Sequence, residues 1–259
     1  MNIVGVIPAR MGSSRFPGKP LAEISGIAMI GHVYNRCSMA TILSDIYVAT
    51  CDREISDYIS SIGGNSIMTS SKHERASDRT YEAMLKIEEI LEEEVNIIVM
   101  IQGDEPMILP AMIDAAVKPL IDDTSIGVSN LMAKMVEKEE QEDPNEVKVV
   151  VNKNKCALYF SREAIPSSKK YSGESPCYKQ ICIIPFRRDF LIEFASLDPT
   201  PLEIIESVDM NRFLENDMRV KMVEVDNNTY AVDTPEDLKR INQLMKDDRL
   251  VTEYSYLQK

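Results

Sequence analysis

The sequence predicts one large α/β domain with a mostly parallel central sheet. Short apolar runs typical of buried strands alternate with amphipathic helical patterns, which is the signature of a layered α/β fold. The chain has 259 residues, of which 44% are hydrophobic, so it can bury a sizeable core. We place the domain at residues 1–247, with a β-rich subregion at about residues 140–190. Residues 248–259 form a tail that we expect to fray.

The first half of the chain carries the clearest α/β alternation. Residues 3–8, and residues 97–101 within the strand predicted at 96–102, are continuously apolar, as strands of a parallel sheet are when both faces are covered. Residues 77–94 form a long amphipathic pattern that predicts a helix, with Ser77 as a candidate N-cap. The predicted elements are strands at 3–8, 46–50, 66–69 and 96–102, and helices at 28–39, 53–62, 77–94 and 110–120.

The second half begins with a highly acidic stretch at residues 137–143, which we interpret as a solvated face or loop. A polar segment at 167–176 predicts a loop. Pro235 indicates the start of the last helix, with either Asp233 or Thr234 as its N-cap. The predicted elements are strands at 147–151, 157–161, 180–185 and 220–225, and helices at 188–195, 202–215 and 234–246.

Composition and charge exclude several classes of protein. The formal net charge is −13, which argues against general binding to nucleic acid or to a membrane surface. Five cysteines without a C-x-x-C pair, together with only two histidines, argue against a zinc site and favour reduced thiols. The N-terminus has no signal-peptide pattern. We therefore expect a cytoplasmic protein.

A cationic, glycine-bearing loop follows the first predicted strand. It reads PARMGSSRFPGKPL and contains Arg10, Arg15 and Lys19 together with two glycines and two serines. Glycine lets the backbone approach a ligand closely, and successive backbone N–H groups can form an anion-binding nest. The loop matches neither the P-loop pattern nor the G-x-G-x-x-G fingerprint. It predicts a polyphosphate site, and the alternative is a basic turn after an edge strand.

Two aspartates follow apolar segments and are candidate Mg²⁺ ligands. Asp104 comes after the strand at 96–102 in QGDEP, and Asp233 lies in YAVDTPED. Ligands of open α/β sheets bind outside the carboxyl ends of the strands, and Mg²⁺ prefers one or two carboxylates plus substrate phosphates. The alternatives are a turn aspartate for Asp104 and an N-cap for Asp233, and an N-cap can also hold a metal.

Further polar residues lie at predicted strand and helix ends. The segment KHERASDR at residues 72–79 precedes the long helix, where backbone N–H groups favour anionic or polar ligands. Arg75 and Arg79 could contact a phosphate or a base edge, and a capped helix start is an equally good interpretation. Lys148 and Arg162 are candidate contacts of an acidic substrate, although either one alone is more typical of a surface cation.

Six motifs in order resemble those of the 3-deoxy-manno-octulosonate (KDO) cytidylyltransferases, which make CMP-KDO for lipopolysaccharide. They are PAR-x-x-S-x-R-x-P-G-K-P-L, Q-G-D-E-P-M-I, N-E-V-K-V-V, A-L-Y-F-S-R-x-x-I-P, P-L-E-x-I-E and V-D-T-P-E-D-L. The resemblance extends to about residue 246. It implies a glycosyltransferase-A-like (Rossmann-like) nucleotidyltransferase fold, CTP and Mg²⁺ as ligands, and a homodimer formed through the β-rich segment.

The resemblance also assigns roles to residues of this chain. Arg10, Arg15 and Lys19 resemble the CTP phosphate binders, and Asp104 and Asp233 resemble the Mg²⁺ ligands. Arg10, Lys19, Asp104 and Asp233 are thus the candidate catalytic residues. The candidate nucleotide-binding residues are Ala9, Arg10, Ser14, Arg15, Lys19, His73, Ser77, Arg79, Gln102 and Asp104. The candidate acceptor-binding residues are Gln102, Lys148, Arg162, Gln180 and Asp209.

One departure from the family pattern lies on the nucleotide side, where residues 73–79 keep only the two ends, His73 and Arg79, of the family's H-x-S-G-T-E-R. The other departures concern the acceptor side. Gln180 stands where the family has a histidine, and Ile184 where it has a tyrosine; Val208 to Arg212 replace L-E-Q-L-R. Lost polar partners change the selectivity of a hydrogen-bonding pocket. We predict CTP-dependent transfer of CMP to KDO or a KDO-like acid, with release of pyrophosphate. The alternatives are another acidic acceptor, such as 8-amino-KDO or a phosphonate, and a non-catalytic nucleotide-binding protein.

Overall fold

The computed structural model describes residues 1–12, 15–167, 169–170, 176–226 and 229–255. The strands are β1 (Ile3–Ala9), β2 (Glu23–Ile24), β3 (Ile27–Ala28), β4 (Asp45–Thr50), β5 (Asn65–Met68), β6 (Ile97–Ile101), β7 (Ser129–Met135), β8 (Lys148–Val151), β9 (Ala157–Ser161), β10 (Cys177–Ile181), β11 (Ile183–Arg187) and β12 (Lys221–Val225). The α-helices are α1 (Met29–Ser38), α2 (Arg53–Ser61), α3 (Ala76–Leu91), α4 (Pro110–Asp122), α5 (Lys138–Glu142), α6 (Arg188–Ser196), α7 (Pro201–Glu206), α8 (Met210–Glu215), α9 (Pro235–Leu244) and α10 (Arg249–Tyr254). Short 3₁₀ turns cover Lys19–Leu21 and Met245–Asp247.

The chain forms two compact units, Met1–Asp114 with Thr229–Lys259, and Ala115–Asn228. In the first unit, four parallel strands lie in the order β6-β1-β4-β5. β1 and β6 are almost wholly buried, as their continuous apolar runs predicted. From β1 the chain adds β4 and β5 on one side of β1 and then crosses to add β6 on the other side. Ligands of open α/β sheets bind at such a switch point.

The second unit is built around a sheet in the order β12-β7-β10-β8-β9. β12 pairs with β7 in parallel, and the other neighbours are antiparallel. This unit is the β-rich part of the chain, and its strands extend from Ser129 to Val225, beyond the 140–190 range given by the sequence. The predicted loop at 167–176 falls largely on residues 168 and 171–175, which lie outside the described residues.

Several predicted elements of the second unit were wrong in their bounds. The strand predicted at 180–185 is two strands, β10 and β11, and the amide of Asn130 donates to the carbonyls of Ile181 and Ile183 on either side of the break (2.7 and 3.4 Å). The helix predicted at 202–215 is also two, because Ser207 between α7 and α8 takes a left-handed backbone with φ 54°. The acidic stretch is largely exposed, as predicted, but part of it forms α5.

In the tail predicted to fray, residues 249–254 instead form α10, and the Tyr254 side chain is 2% exposed; residues 256–259 of that tail lie outside the described residues. Burial lowers the pKa of His32 to about 4, so this ring is neutral at pH 7. Its Nε2 lies 2.8 Å from the carbonyl of Ile24 and therefore carries the proton, while Nδ1 accepts from the Tyr254 hydroxyl at 2.7 Å. Arg36, fully buried, donates to Asp248 at 2.6 Å. These long-range contacts hold residues 248–254 in place.

Within the described ranges of the chain, no helix is both long and apolar enough to cross a membrane.

Candidate active site

The loop after β1 is shaped by contacts of its backbone at Met11 and Gly18. The Met11 amide donates to Oδ2 of Asp52 at 2.7 Å, and the Gly18 amide donates to the Met11 carbonyl at 3.0 Å. Gly18 has φ 76°, a left-handed conformation that glycine adopts without steric cost. The 3₁₀ turn that follows begins at Lys19. Ser14, a predicted nucleotide contact, lies outside the described residues.

Lys19 joins the two candidate metal ligands. Its Nζ lies 2.7 Å from Oδ2 of Asp104 and 3.1 Å from Oδ1 of Asp233, and it also donates to the carbonyl of Val232 at 3.1 Å. The Val232 amide in turn donates to the Asp104 carbonyl at 2.9 Å. Three segments far apart in sequence therefore meet at one ammonium group. Lys19 and Asp104 follow β1 and β6, as expected around a switch point, whereas Asp233 follows no strand and is held next to them by the bond between Val232 and Asp104.

The cluster is mostly buried, and its charges balance. The side chains of Lys19, Asp104 and Asp233 are between 15% and 19% exposed, whereas Arg15, which contacts Oδ1 of Asp233 at 3.0 Å, is 50% exposed. Burial by itself lowers the pKa of Lys19, but the charges and hydrogen bonds of Asp104 and Asp233 outweigh it and raise this pKa above its usual value. Lys19 is therefore an ammonium ion throughout the physiological pH range.

The N-cap alternative for Asp233 is wrong. Thr234 caps α9, because its hydroxyl accepts from the Asp237 amide at 3.2 Å and the Asp237 carboxylate accepts from the Thr234 amide at 2.9 Å. This reciprocal capping box satisfies the helix terminus. The Asp233 carboxylate is thereby left to the cationic cluster.

The carboxylate pair fits a divalent cation that also binds phosphate. Oδ1 of Asp104 is buried and has no hydrogen-bond partner among the described residues, and such an atom is costly unless a ligand or ion pairs with it. In the same part of the chain, no group of three or more Asp, Glu, His or Cys residues could hold a metal. Two carboxylates with open positions suit Mg²⁺, which takes its other ligands from water and substrate phosphates.

Two residues of this site were missed from the sequence. Glu105, which is 7% exposed, accepts a hydrogen bond from the Thr229 hydroxyl, and this contact ties the segment before Asp233 to the segment that carries Asp104. Asp52 accepts from the loop backbone at Met11. Asp52 lies shortly after β4 and Glu105 shortly after β6, so position near the carboxyl ends of the strands is the signal that could have found them.

The other predicted nucleotide-binding residues of the first unit differ in their burial and in their hydrogen bonds. Arg79 is 3% exposed and donates to Oγ1 of Thr69 at 2.5 Å and to the carbonyl of His73 at 3.4 Å. The His73 ring is hydrogen-bonded to Glu82. Ser77 is buried inside the first turn of α3, which begins at Ala76, so its predicted N-cap role is wrong. The remaining three differ in exposure: Ala9 is buried, Gln102 is half-buried and Arg10 is exposed.

His73 belongs to a local charge cluster around Glu82. Burial by itself raises the pKa of Glu82, but hydrogen bonds from Lys86, the Ser70 amide and His73 outweigh it and lower this pKa to about 2. The cluster fixes the segment between β5 and α3. His73 and Arg79 therefore hold this segment together in the structure, and their nucleotide contacts stay predictions.

The predicted acceptor residues of the second unit are bonded within that unit. Lys148 is buried and donates to the carbonyls of residues 143, 146 and 162 at 2.5 to 2.8 Å. Arg162 donates to the carbonyl of Glu206, and its own amide donates to the Glu206 carboxylate, both at 2.8 Å. The side-chain Nε2 of Gln180 donates to Oδ1 of Asn130 at 2.6 Å. Asp209 directly precedes α8. Their roles toward an acceptor also stay predictions.

A cationic loop that meets two mostly buried carboxylates next to a parallel sheet suits a nucleoside triphosphate and its metal ion, as in the class of nucleotidyltransferases. A family model described as "Cytidylyltransferase" matches residues 4–221. A 3-deoxy-manno-octulosonate cytidylyltransferase of Geobacter metallireducens is 41% identical over 251 residues, covering 93% of this chain and 96% of its own. The chain belongs to the cytidylyltransferase family.

Solved structures agree with this assignment. A CMP:2-keto-3-deoxy-manno-octonic acid synthetase complexed with CTP has a TM-score of 0.87 and 36% identity, covering 95% of this chain and 98% of its own. A cytidylyltransferase from Leptospira borgpetersenii, with a TM-score of 0.62 and 17% identity over 99% of this chain and 96% of its own, shares the fold. The predicted α/β fold class, glycosyltransferase-A-like with a largely parallel sheet, and the predicted family resemblance are confirmed.

Proposed function

We propose that the protein transfers CMP from CTP to KDO and releases pyrophosphate. The observation that carries the proposal is the cluster of Lys19, Asp104 and Asp233 in a chain whose relatives at about 40% identity are named for this reaction. The similar structure complexed with CTP supports the same nucleotide.

The chemistry is an in-line displacement at the α-phosphorus of CTP. An oxygen of the acceptor, the anomeric hydroxyl in KDO, forms the new P–O bond while the bond to the bridging oxygen of pyrophosphate breaks. The hydroxyl proton leaves to solvent, since the described site places no histidine at its cationic cluster. Catalysis of this kind depends mainly on positioning and on neutralising charge. Arg10, Arg15 and Lys19 would neutralise the phosphates and the departing pyrophosphate.

Asp104 and Asp233 would hold Mg²⁺. The buried, unpartnered Oδ1 of Asp104 supports this assignment. When bound, the ion neutralises charge on phosphate oxygens. Ala9, Ser14, His73, Ser77, Arg79 and Gln102 are proposed nucleotide contacts, and Lys148, Arg162, Gln180 and Asp209, with Gln102, are proposed acceptor contacts.

A different acidic acceptor, such as 8-amino-KDO or a phosphonate, is the second candidate. Two positions where the chain departs from the family pattern favour it. Gln180 is bonded to Asn130, and Ile184 is 2% exposed and carries no polar group. A pocket that offers other polar groups selects other substrates.

Pyrophosphate release with CTP and Mg²⁺ separates these candidates when KDO, 8-amino-KDO, sialic acid and a small phosphonate are offered in parallel. We expect the highest kcat/KM with KDO, and no release without an acceptor. Preference for another acceptor would retain the nucleotide half of the proposal and replace KDO. Binding of CTP with no release for any acceptor would contradict the proposal and favour a non-catalytic nucleotide-binding protein.

We further propose a cytoplasmic homodimer. The five cysteines are free thiols, which suits a reducing compartment. Leu158 on the edge strand β9 is 60% exposed, and Ile204 and Ile205 on α7 are 60% and 74% exposed; we propose these apolar side chains as the dimer contacts. Sedimentation equilibrium of the full chain is expected to give the mass of two copies, and replacing Leu158 and Ile205 by aspartate to give that of one. A single-chain mass for the unchanged protein would contradict the dimer.

A further inference from the structure

The ammonium group of Lys19 has no hydrogen left for a phosphate. An ammonium carries three donors and no acceptor. In Lys19 these donors go to Asp104 Oδ2, Asp233 Oδ1 and the Val232 carbonyl. A residue whose proposed task is to bind CTP is therefore fully engaged by the protein itself, and it must give up at least one of these contacts to reach a nucleotide.

The same two carboxylates are the proposed Mg²⁺ ligands. The buried Oδ1 of Asp104 is open to a cation, but the other oxygen of this carboxylate lies 2.7 Å from the ammonium. A divalent cation and an ammonium on one carboxylate repel each other, and the repulsion is strong in a partly buried site. Lys19 and a divalent cation therefore compete for one carboxylate pair.

The geometry points to a second role for Lys19, which rests on the proposed function. We propose that the Lys19 ammonium occupies the two carboxylates in the free protein and thereby weakens their binding of a divalent metal ion. When CTP binds, its phosphates accept the hydrogen bonds of Lys19, and the carboxylates become available to the metal ion. Because coupling between two binding sites is reciprocal, CTP then raises the affinity for the metal and the metal raises the affinity for CTP. The carboxylates stay neutralised at every stage.

Arg15 does not take over this role. It contacts Oδ1 of Asp233 at 3.0 Å, and half of its side chain is exposed, so water and salt screen its charge. Lys19 is the side chain that contacts both carboxylates, from a position that is 15% exposed. The effect of removing a positive charge is therefore expected to be specific to this lysine.

Binding of Mn²⁺ to the full chain without nucleotide tests the proposal directly, with electron paramagnetic resonance measuring the free ion. Lys19→Gln keeps an amide donor without the charge, and Lys19→Met removes both. We expect both variants to bind Mn²⁺ about tenfold more tightly than the unchanged protein, and Lys19→Arg to bind it as weakly. Lys239→Met, which removes an exposed lysine of α9 in the same unit, is the charge-matched control and is expected to change nothing.

A second readout is the melting temperature with and without Mg²⁺. Mg²⁺ is expected to raise it strongly in Lys19→Gln and only slightly in the unchanged protein, because a ligand stabilises the state that binds it. Adding Asp104→Asn to Lys19→Gln is expected to abolish the gain. Equal or weaker Mn²⁺ binding by folded Lys19→Gln would overturn the proposal. Failure of the proposed function would appear separately, as no pyrophosphate release by the unchanged protein.

Discussion

Replacing Asp104 or Asp233 by asparagine is expected to lower kcat for pyrophosphate release by ~10²-fold or more. Asparagine has nearly the same shape, so each change removes one negative charge from a cluster that is mostly buried. With CTP bound, the proposed metal loses a charged ligand, and charge stabilisation in a partly desolvated site contributes on the order of 3 kcal/mol per group to catalysis. Steady-state kinetics with CTP, Mg²⁺ and KDO measures the effect.

Asp57→Asn is the matched control, since Asp57 is an exposed carboxylate on α2 of the same unit. Its kcat is expected to equal that of the unchanged protein. Melting temperatures of all three variants separate lost catalysis from lost folding. Near-normal turnover of both Asp104→Asn and Asp233→Asn would show that neither carboxylate acts in the reaction.

The second large effect concerns stability and lies away from the site. Asp248→Asn is expected to lower the free energy of unfolding by about 3 kcal/mol, because it leaves the charge of Arg36 buried without its partner. Arg36 is 0% exposed and lies 2.6 Å from Asp248, which is 15% exposed. Asparagine can still accept the hydrogen bond from the Leu250 amide that caps α10. Its NH2 group then stands where the second carboxylate oxygen accepted from Arg36, so the change removes the charge together with this one acceptor and keeps the cap.

Urea unfolding at pH 7 measures this loss from the midpoint and slope of the transition. Asp247→Asn changes the neighbouring, exposed aspartate and is expected to unfold at the midpoint of the unchanged protein. If Asp248→Asn and Asp247→Asn unfold alike, the buried ion pair does not hold the C-terminal segment.

The elements around the site were predictable because their signals are local. β1 and β6 are continuous apolar runs, and both are buried as expected. Lys19 and Asp104 follow these strands, so parallel strand order alone brings them to one edge of the sheet. Thr234 and Pro235 mark the start of α9 by ordinary capping chemistry. The structure was needed only to show that Thr234, and not Asp233, is the N-cap of this helix.

The remaining features depend on contacts between residues distant in sequence. Ser129 and Asn130 interrupt the apolar pattern of β7, but both are buried and hydrogen-bonded, so a strand exists where no pattern indicated one. The order of residues 248–254 depends on Arg36 and His32. Likewise, the sequence shows three cationic residues in the loop after β1, but only the structure shows that Lys19 is hydrogen-bonded to the carboxylates of Asp104 and Asp233.

The product formed from CTP and KDO by the purified full chain tests the central claim most directly. Mass spectrometry is expected to show CMP-KDO and pyrophosphate in equal amounts, both absent when KDO is omitted and both strongly reduced in Asp104→Asn. Folded protein that binds CTP but forms no CMP-KDO would contradict the account.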